Sequence, residues 1–385
     1  MYLLHITPSY KPAYIYGGPT ISVSRLCEAV NQYAGEAELK VLTTTANGKE
    51  EVQVNPSEET DVDGVKVIYF KRLTKDHSHL SPSLLWNIYR KLSIHGKYHV
   101  VHIHAWWNLV SVGAALVCWL KDVRPIISPR GMLGGYTSSH KNSFVKKSFH
   151  QLIGRKLLNR VVFHVTSKKE MLEVRKQFPE AKIYIIPNVI DLPDVVQEQK
   201  SDAKGDFHIC FLARINPIKG LELLFQALKS FSKPYKLSIA GDGDQEYIKA
   251  LIHLSEGLNL DQQINWLGHL DNEEKFKFLR DSDILVLPSY TENFANVVIE
   301  SLSVGTPVLL SDQVGTADFV QQHDLGWVCP PDADEIHAAL EKAYADKTKR
   351  ERIRQEAPEI IRKEFSPEVL VQKYLEMYGE VKAGR

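Results

Sequence analysis

The run Asp283-Ile-Leu-Val-Leu-Pro288, continued by Ser-Tyr-Thr-Glu292-Asn-Phe-Ala295-Asn-Val-Val-Ile-Glu300-Ser-Leu-Ser-Val-Gly305, sets the frame for the whole chain. Its first part is apolar throughout and reads as a buried strand. A polar loop follows, and a helical pattern is expected to start between Glu292 and Ala295. Eight residues of helix turn through about 800°, so Glu292 and Glu300 would point roughly the same way, about 12 Å apart along the axis. Glu300 stands among Val297, Val298, Ile299 and Leu302. A carboxylate in such company is costly unless something hydrogen-bonds it. The hydroxyl groups of a bound sugar would do so, and so would a buried Arg or Lys. Glu292 reads either as a second ligand-facing acid or as a surface acid favoured by the helix dipole.

Outward from this segment, strand and helix patterns alternate along almost the whole chain, which argues for parallel sheets covered by helices on both faces. The length of 385 residues suggests two such domains. The division expected is 1–191, a charged linker over 192–206, a second domain over 207–365, and a last helix in 366–385 that crosses back to the first domain. Lys plus Arg and Asp plus Glu each number 47, so no basic excess suggests a nucleic-acid polymer as partner. Cys27, Cys118, Cys210 and Cys329 lack metal-ligand spacing and read as reduced core residues of a cytoplasmic protein. The first residues enter a strand at once, without a signal-peptide pattern, and the apolar run Leu109–Leu120 is too short to cross a bilayer.

In doubly wound sheets ligands collect at the C-terminal ends of strands. Several polar groups stand at such ends. Gly17-Gly18 follows the first strand, Tyr2–Thr7, and would let backbone N–H groups approach a phosphate or sugar. His102 and His104 alternate on the strand His99–His104, so they share a face, with His104 at the end. His102 reads equally as a core histidine. Trp106 and Trp107 either floor the cleft, as stacking surfaces for sugar rings, or pack in the core. Arg130, in Ser128-Pro-Arg-Gly-Met-Leu133, contacts either an anion or an acidic partner. Val65–Arg72 reads as a strand, with Val52–Val54 as its hairpin partner. In the second half, Arg214 and Lys219 flank a strand-to-helix loop, an arrangement suited to a diphosphate. Gly241-Asp-Gly243 ends another strand, but Glu246 stands where a dinucleotide fingerprint needs its third glycine, which weakens a nicotinamide reading.

Glu292 and Glu300 resemble the E-x7-E motif of retaining glycosyltransferases of family 4, which have the GT-B fold, two Rossmann-like domains facing across a cleft. The other landmarks occur in that family's order. Val101-His-Ile-His104 resembles its V-H-x-H segment and Ser128–Leu133 its S-P-R-G-M-L segment. Ile186-Pro-Asn-Val-Ile-Asp191 resembles P-N-G-V-D with Val189 in place of glycine. Ala213–Gly220 resembles G-R-x-x-x-x-K-G with Ala213 in place of the first glycine, and Ile264–Leu270 resembles the segment that clasps the base.

The resemblance implies transfer of a sugar, with retention, from a UDP- or GDP-linked donor to a glycan or lipid-linked acceptor in surface polysaccharide synthesis. Arg214 and Lys219 would neutralise the diphosphate, with Gly18, Gly241, Gly243 and Leu270 alongside the donor. Glu300 would hold the ribose. Glu292, Asn293, Phe294, Ala295, Asn296 and Val297 would surround the transferring sugar and β-phosphate. His104 and Glu292 would be the catalytic pair, His104 orienting the sugar or stabilising positive charge and not acting as nucleophile, and Trp106 and Arg130 would lie on the acceptor side. No cofactor and no metal is expected, since the cations do a metal's work. An epimerase or phosphorylase on the same fold, a nicotinamide-linked oxidoreductase and a non-catalytic sugar binder are the alternatives. Residues 140–160 combine Lys141, Lys146, Lys147, Arg155, Lys156 and Arg160 with Phe and Leu and read as a basic amphipathic helix that either packs on its own domain, as most such helices do, or lies on anionic membrane.

Overall fold

A computed structural model describes residues 1–93, 98–134, 154–193 and 206–384. Packing divides the chain into two units, Met1–Ile190 with Pro367–Arg385, and Asp191–Ser366. Residues 194–205 of the expected linker and 140–153 of the basic segment lie outside the described residues.

The first unit holds β1 (Tyr2–Ile6), β2 (Glu38–Thr44), β3 (Ala46–Asn47), β4 (Glu50–Glu51), β5 (Glu59–Val62), β6 (Val65–Phe70), β7 (Val100–His104), β8 (Ile126–Ser128), β9 (Val162–Val165) and β10 (Lys182–Ile185). Its main sheet runs β10-β9-β8-β7-β1-β2-β6-β5, parallel except for the β5–β6 pair. The partner of β6 is therefore Glu59–Val62 and not Val52–Val54. The reason is the turn: Asp63 and Gly64 both have positive φ, 50° and 81°, which closes a two-residue hairpin whose twist matches the strands.

Period-two alternation sends Leu4, Ile6, Val101, Ile103 and Phe163 to one face of this sheet, under the helices Pro82–Ser93 and Leu109–Leu120. Leu3, Val41, Val67, Val100 and Val162 go to the other face, where Gly18–Tyr33 and the last helix, Pro367–Ala383, cover them. That last helix buries Leu370, Val371, Tyr374, Met377, Tyr378 and Val381, an i, i+3/i+4 stripe that ties the end of the chain to its beginning.

The second unit holds β11 (Phe207–Leu212), β12 (Tyr235–Ala240), β13 (Ile264–Gly268), β14 (Ile284–Leu287), β15 (Val308–Ser311) and β16 (Gly326–Cys329). They form a parallel sheet in the order β13-β12-β11-β14-β15-β16. In both sheets the direction of winding reverses once, between β1 and β7 and between β11 and β14. In doubly wound sheets such a reversal is the point at which loops diverge at the C-terminal ends of the strands and ligands collect.

Candidate active site

In the second unit, β11 delivers Arg214, Asn216 and Lys219, and β14 delivers Pro288 to Glu292. The side chain of Asn216 accepts from Ile218 N–H, shaping a single 3-10 turn over Pro217–Lys219. Gly220 closes it with φ 69°. A Cβ on Gly220 would stand 2.4 Å from the carbonyl oxygen of Pro288, so the two loops touch only because this residue is glycine. Tyr290 N–H then donates to Ile218 O at 2.8 Å, and Glu292 N–H to Gln313 O at 3.1 Å. This fixes Lys219 and Glu292 side by side as an ion pair. The guanidinium of Arg214 is exposed and has no hydrogen bond or ion pair among the described residues.

The helix after β14 is Asn296–Ser303, capped by Ala295 with φ 68°. Glu292 therefore lies four residues before the helix, in a bridge with Val314, and not in its first turn. Glu292 and Glu300 are consequently not related by helical rotation. Glu300 is on the helix and pairs with Lys275 Nζ at 2.9 Å, both side chains being largely covered. Each carboxylate thus has its own ammonium. Phe294 and Ala295 are buried, while Asn293, Asn296 and Val297 are half-buried around the first turn.

Gly241 and Gly243 are needed by the protein's own backbone. Cβ atoms there would sit 1.9 Å from Ala213 O and 2.1 Å from Ile215 O, because the loops after β11 and β12 continue to pair, through Ile215 and Gly243, beyond the strands. Ala213 is not among the residues of positive φ, which is why alanine is tolerated there. Leu270 is half-buried in the loop after β13.

In the first unit, His104 ends β7 but is 1% exposed. It belongs to a row of polar residues on one face of four adjacent strands: His5 on β1, His102 and His104 on β7, Ser128 on β8 and His164 on β9. Register places His5 opposite His102 and His104 opposite Ser128. The hydrogen bonds have one direction. His164 Nε2 lies 2.9 Å from Ile186 O, an acceptor only, so this nitrogen carries the proton and Nδ1 accepts. Ser128 Oγ then donates to His164 Nδ1 at 2.6 Å and accepts from His102 Nε2 at 2.6 Å. His102 Nδ1 accepts from Tyr378 Oη at 3.0 Å, and Tyr378 accepts from His5 Nε2 at 3.3 Å. His5 Nδ1 accepts from His104 Nε2 at 3.0 Å. His104 Nδ1 is left as an acceptor, 3.4 Å from Arg130 Nη2.

One carbonyl therefore sets the tautomer of four histidines. All four are held neutral, chiefly by burial; Arg130 and, for His102, the neighbouring imidazoles act in the same direction, while the bond to Ile186 O opposes it at His164. His5 and His164 are lowered to about 3, and His102 and His104 fall well below the ordinary value. Arg130 itself sits in the left-handed region, φ 54°, and donates through Nη1 to Ser22 Oγ at 2.7 Å and Asn188 Oδ1 at 3.1 Å. No ion pair of Arg130 occurs among the described residues.

Nitrogens of His5, His102 and His104 lie within 4.8 Å of one another, a spacing a metal ion could bridge. The relay already uses those nitrogens, and the three bring no negative charge to offset a dication beside Arg130. The donor set fits a hydrogen-bond chain better than a cation. Trp106 is fully buried in the core, so it does not floor a cleft; Trp107 is half-buried, its Nε1 donating to Met132 O at 2.6 Å. Gly18 is exposed at the start of its helix with open space where a Cβ would stand, and the positive φ belongs to Gly17.

Residues 195–360 match the family model for glycosyl transferases group 1, and residues 16–193 match that for Glycosyltransferase Family 4. The chain is a glycosyltransferase of this family. An uncharacterised glycosyltransferase of Methanocaldococcus jannaschii is 26% identical over 98% of both chains. A lipopolysaccharide 1,2-N-acetylglucosaminetransferase of Salmonella typhimurium is 26% identical over 52% of this chain and 57% of its own. Among solved structures, sucrose-phosphate synthase from Thermosynechococcus elongatus superposes with TM-score 0.75 at 18% identity, covering all of both chains. HepE of Anabaena, in complex with UDP and glucose, superposes with TM-score 0.71 at 16% identity, covering 99% of this chain and all of its own. These likenesses place the glycosyltransferase in the GT-B fold class.

Proposed function

We propose that this glycosyltransferase moves a sugar, with retention, from a UDP- or GDP-linked donor to a glycan or lipid-linked acceptor during surface polysaccharide synthesis. The observation that carries the reading is the loop after β11, at the switch point with β14, which holds Lys219 in an ion pair with Glu292 and carries an exposed Arg214 with no ion pair among the described residues. HepE, of similar fold, binds UDP together with glucose, which supports a uridine donor here.

On this reading Arg214 meets the diphosphate first, having no competing partner. Lys219 turns from Glu292 to the β-phosphate, which frees Glu292 to accept hydrogen bonds from the sugar hydroxyls. Lys275 keeps Glu300 ionised as an acceptor for ribose hydroxyls. Backbone groups and the dipole at Phe294–Val297 add positive potential where the leaving phosphate gains charge. The bond from C1 to the β-phosphate oxygen breaks as the acceptor oxygen bonds to C1 on the same face. The acceptor proton goes to a donor phosphate oxygen, giving a glycoside and a nucleoside diphosphate. His104, neutral and buried, acts through Arg130 as a positioning residue and not as a cation. Cationic side chains serve in place of a metal, so activity is expected to persist in chelator.

A panel of UDP-, GDP- and ADP-sugars read by thermal shift tests this. One donor should raise Tm through ligand linkage, and Glu300→Ala should abolish the shift without unfolding the protein. No shift with any donor, or an undiminished shift in the variant, counts against the proposal. Turnover of donor into an isomer without acceptor would favour the epimerase.

A further inference from the structure

At the opposite end of the first unit's sheet lies a concentration of charge that the chemistry above leaves unused. The helices Pro82–Ser93 and Leu109–Leu120, the latter with its loop to Pro125, pack together, and the segment Arg155–Val161 packs beside the second helix. Between them they carry Arg90, Lys91, Lys121, Arg124, Arg155, Lys156 and Arg160 against one acid, Asp122. Seven less one leaves an excess of six, on a chain whose two charge classes balance at 47 each. The positive charge is therefore segregated here.

The same face exposes large apolar groups. Trp86 is 62% exposed, Trp119 45% and Leu120 59%. Trp86 and Tyr89 stack at 5.6 Å, and Lys121 Nζ lies 3.7 Å over the Tyr89 ring, which links the two helices. Trp119, Asp122, Arg124, Leu157 and Arg160 line an open hollow of about 320 Å³, two cations against one carboxylate. Pro125 and Val161, which also line it, directly precede β8 and β9, so the hollow is at the N-terminal ends of these strands, away from His104 and Arg130.

Tryptophan and leucine on a surface fringed by cations suit a partner that is apolar inside and anionic at its rim. A second copy of the chain meets this demand poorly, because an isologous contact would bring seven cations against seven. We propose that this face docks on an anionic lipid bilayer. Trp86, Trp119 and Leu120 enter the headgroup boundary, the cations meet lipid phosphates, and the hollow between Arg124 and Arg160 takes one headgroup. The C-terminal ends of the strands, with His104 and Arg130, then face away from the bilayer.

The full chain should sediment with phosphatidylcholine vesicles containing about one third phosphatidylglycerol, not with phosphatidylcholine alone, and should be released near 1 M salt, where screening reaches about 3 Å. Trp86→Ser with Trp119→Ser, and Lys121→Glu with Arg124→Glu, should each lower partitioning at least about tenfold. Both double variants should stay folded, with Tm lowered by no more than a few degrees for the lost contacts of Trp86 and Lys121 with Tyr89. Equal binding to neutral vesicles, or no sedimentation of the wild type, overturns the proposal. So does a dimer that the Trp86→Ser, Trp119→Ser variant converts to a monomer. A loss confined to Lys141→Ala with Lys146→Ala and Lys147→Ala, the two designed variants binding as wild type, overturns it as well.

Discussion

Replacing Tyr378 by Phe removes one hydroxyl from the middle of the histidine relay and leaves the ring in place. That hydroxyl donates to His102 Nδ1 at 3.0 Å and accepts from His5 Nε2 at 3.3 Å, and all three residues are fully buried. The substitution strands an acceptor on one imidazole and a donor on another. Each such group costs about 1–3 kcal/mol, so about 2–4 kcal/mol is expected after some relaxation. Tyr374→Phe is the internal control. Its hydroxyl lies 3.1 Å from His164 Nε2 and donates to Pro187 O at 3.4 Å; His164 Nε2 keeps Ile186 O at 2.9 Å, so only the long bond to Pro187 O is lost and about 1 kcal/mol is expected. The assay is urea unfolding followed by tryptophan fluorescence, with Trp86, Trp106, Trp107 and Trp119 reporting on the first unit. The midpoint should fall further for Tyr378→Phe than for Tyr374→Phe, with the slope unchanged. A Tyr374→Phe loss equal to or larger than that of Tyr378→Phe would refute the assigned direction of the relay.

Further expectations rest on the same geometry. His5 and His164 titrate near 3 in the folded chain against about 6.5 unfolded, so between those values the unfolded state binds more protons and stability falls as pH drops. At pH 5 each should cost about 2 kcal/mol relative to pH 7.5, read as a falling urea midpoint; a flat profile would contradict neutral histidines. Gly241→Ala should destabilise the second unit by more than about 2 kcal/mol, because its Cβ has no room beside Ala213 O, whereas Gly18→Ala should leave Tm within about a degree. A Gly241→Ala variant of wild-type stability would show that the loops do not pair as described. Arg214→Ala should weaken binding of the bare nucleoside diphosphate by about 1.5–3 kcal/mol, roughly ten- to a hundredfold, and binding of the nucleoside hardly at all, by calorimetry. Equal losses for both ligands would place Arg214 away from the phosphates.

Much of the second unit's candidate site could be read along the chain, because its parts are local. Arg214 and Lys219 share one loop, and Glu292 and Glu300 share one strand-loop-helix unit. What failed there was the helix start. Ala295 takes a left-handed conformation and delays the helix to Asn296, which depends on Glu292 being held by Gln313 and Val314, more than eighteen residues away. Lys275 as the partner of Glu300 was likewise unreadable, since it comes from another helix. The pattern of an apolar residue followed two places later by histidine, at Leu3-x-His5, Val100-x-His102-x-His104 and Val162-x-His164, was in plain view, but only strand order makes it one feature.

The sequence by itself determined the alternation of strands and helices, the two-unit organisation and the loops that carry charge, because period and turn chemistry act over a few residues. Tertiary structure alone decided which strands are neighbours, and so whether His5, His104, Ser128 and His164 form one polar row or four separate curiosities. It also decided that Trp106 is core and that Tyr374 and Tyr378, more than two hundred residues further on, close the relay. The physical reason is that buried polar groups must find partners, and those partners are chosen by register and packing, which no local stretch of chain contains.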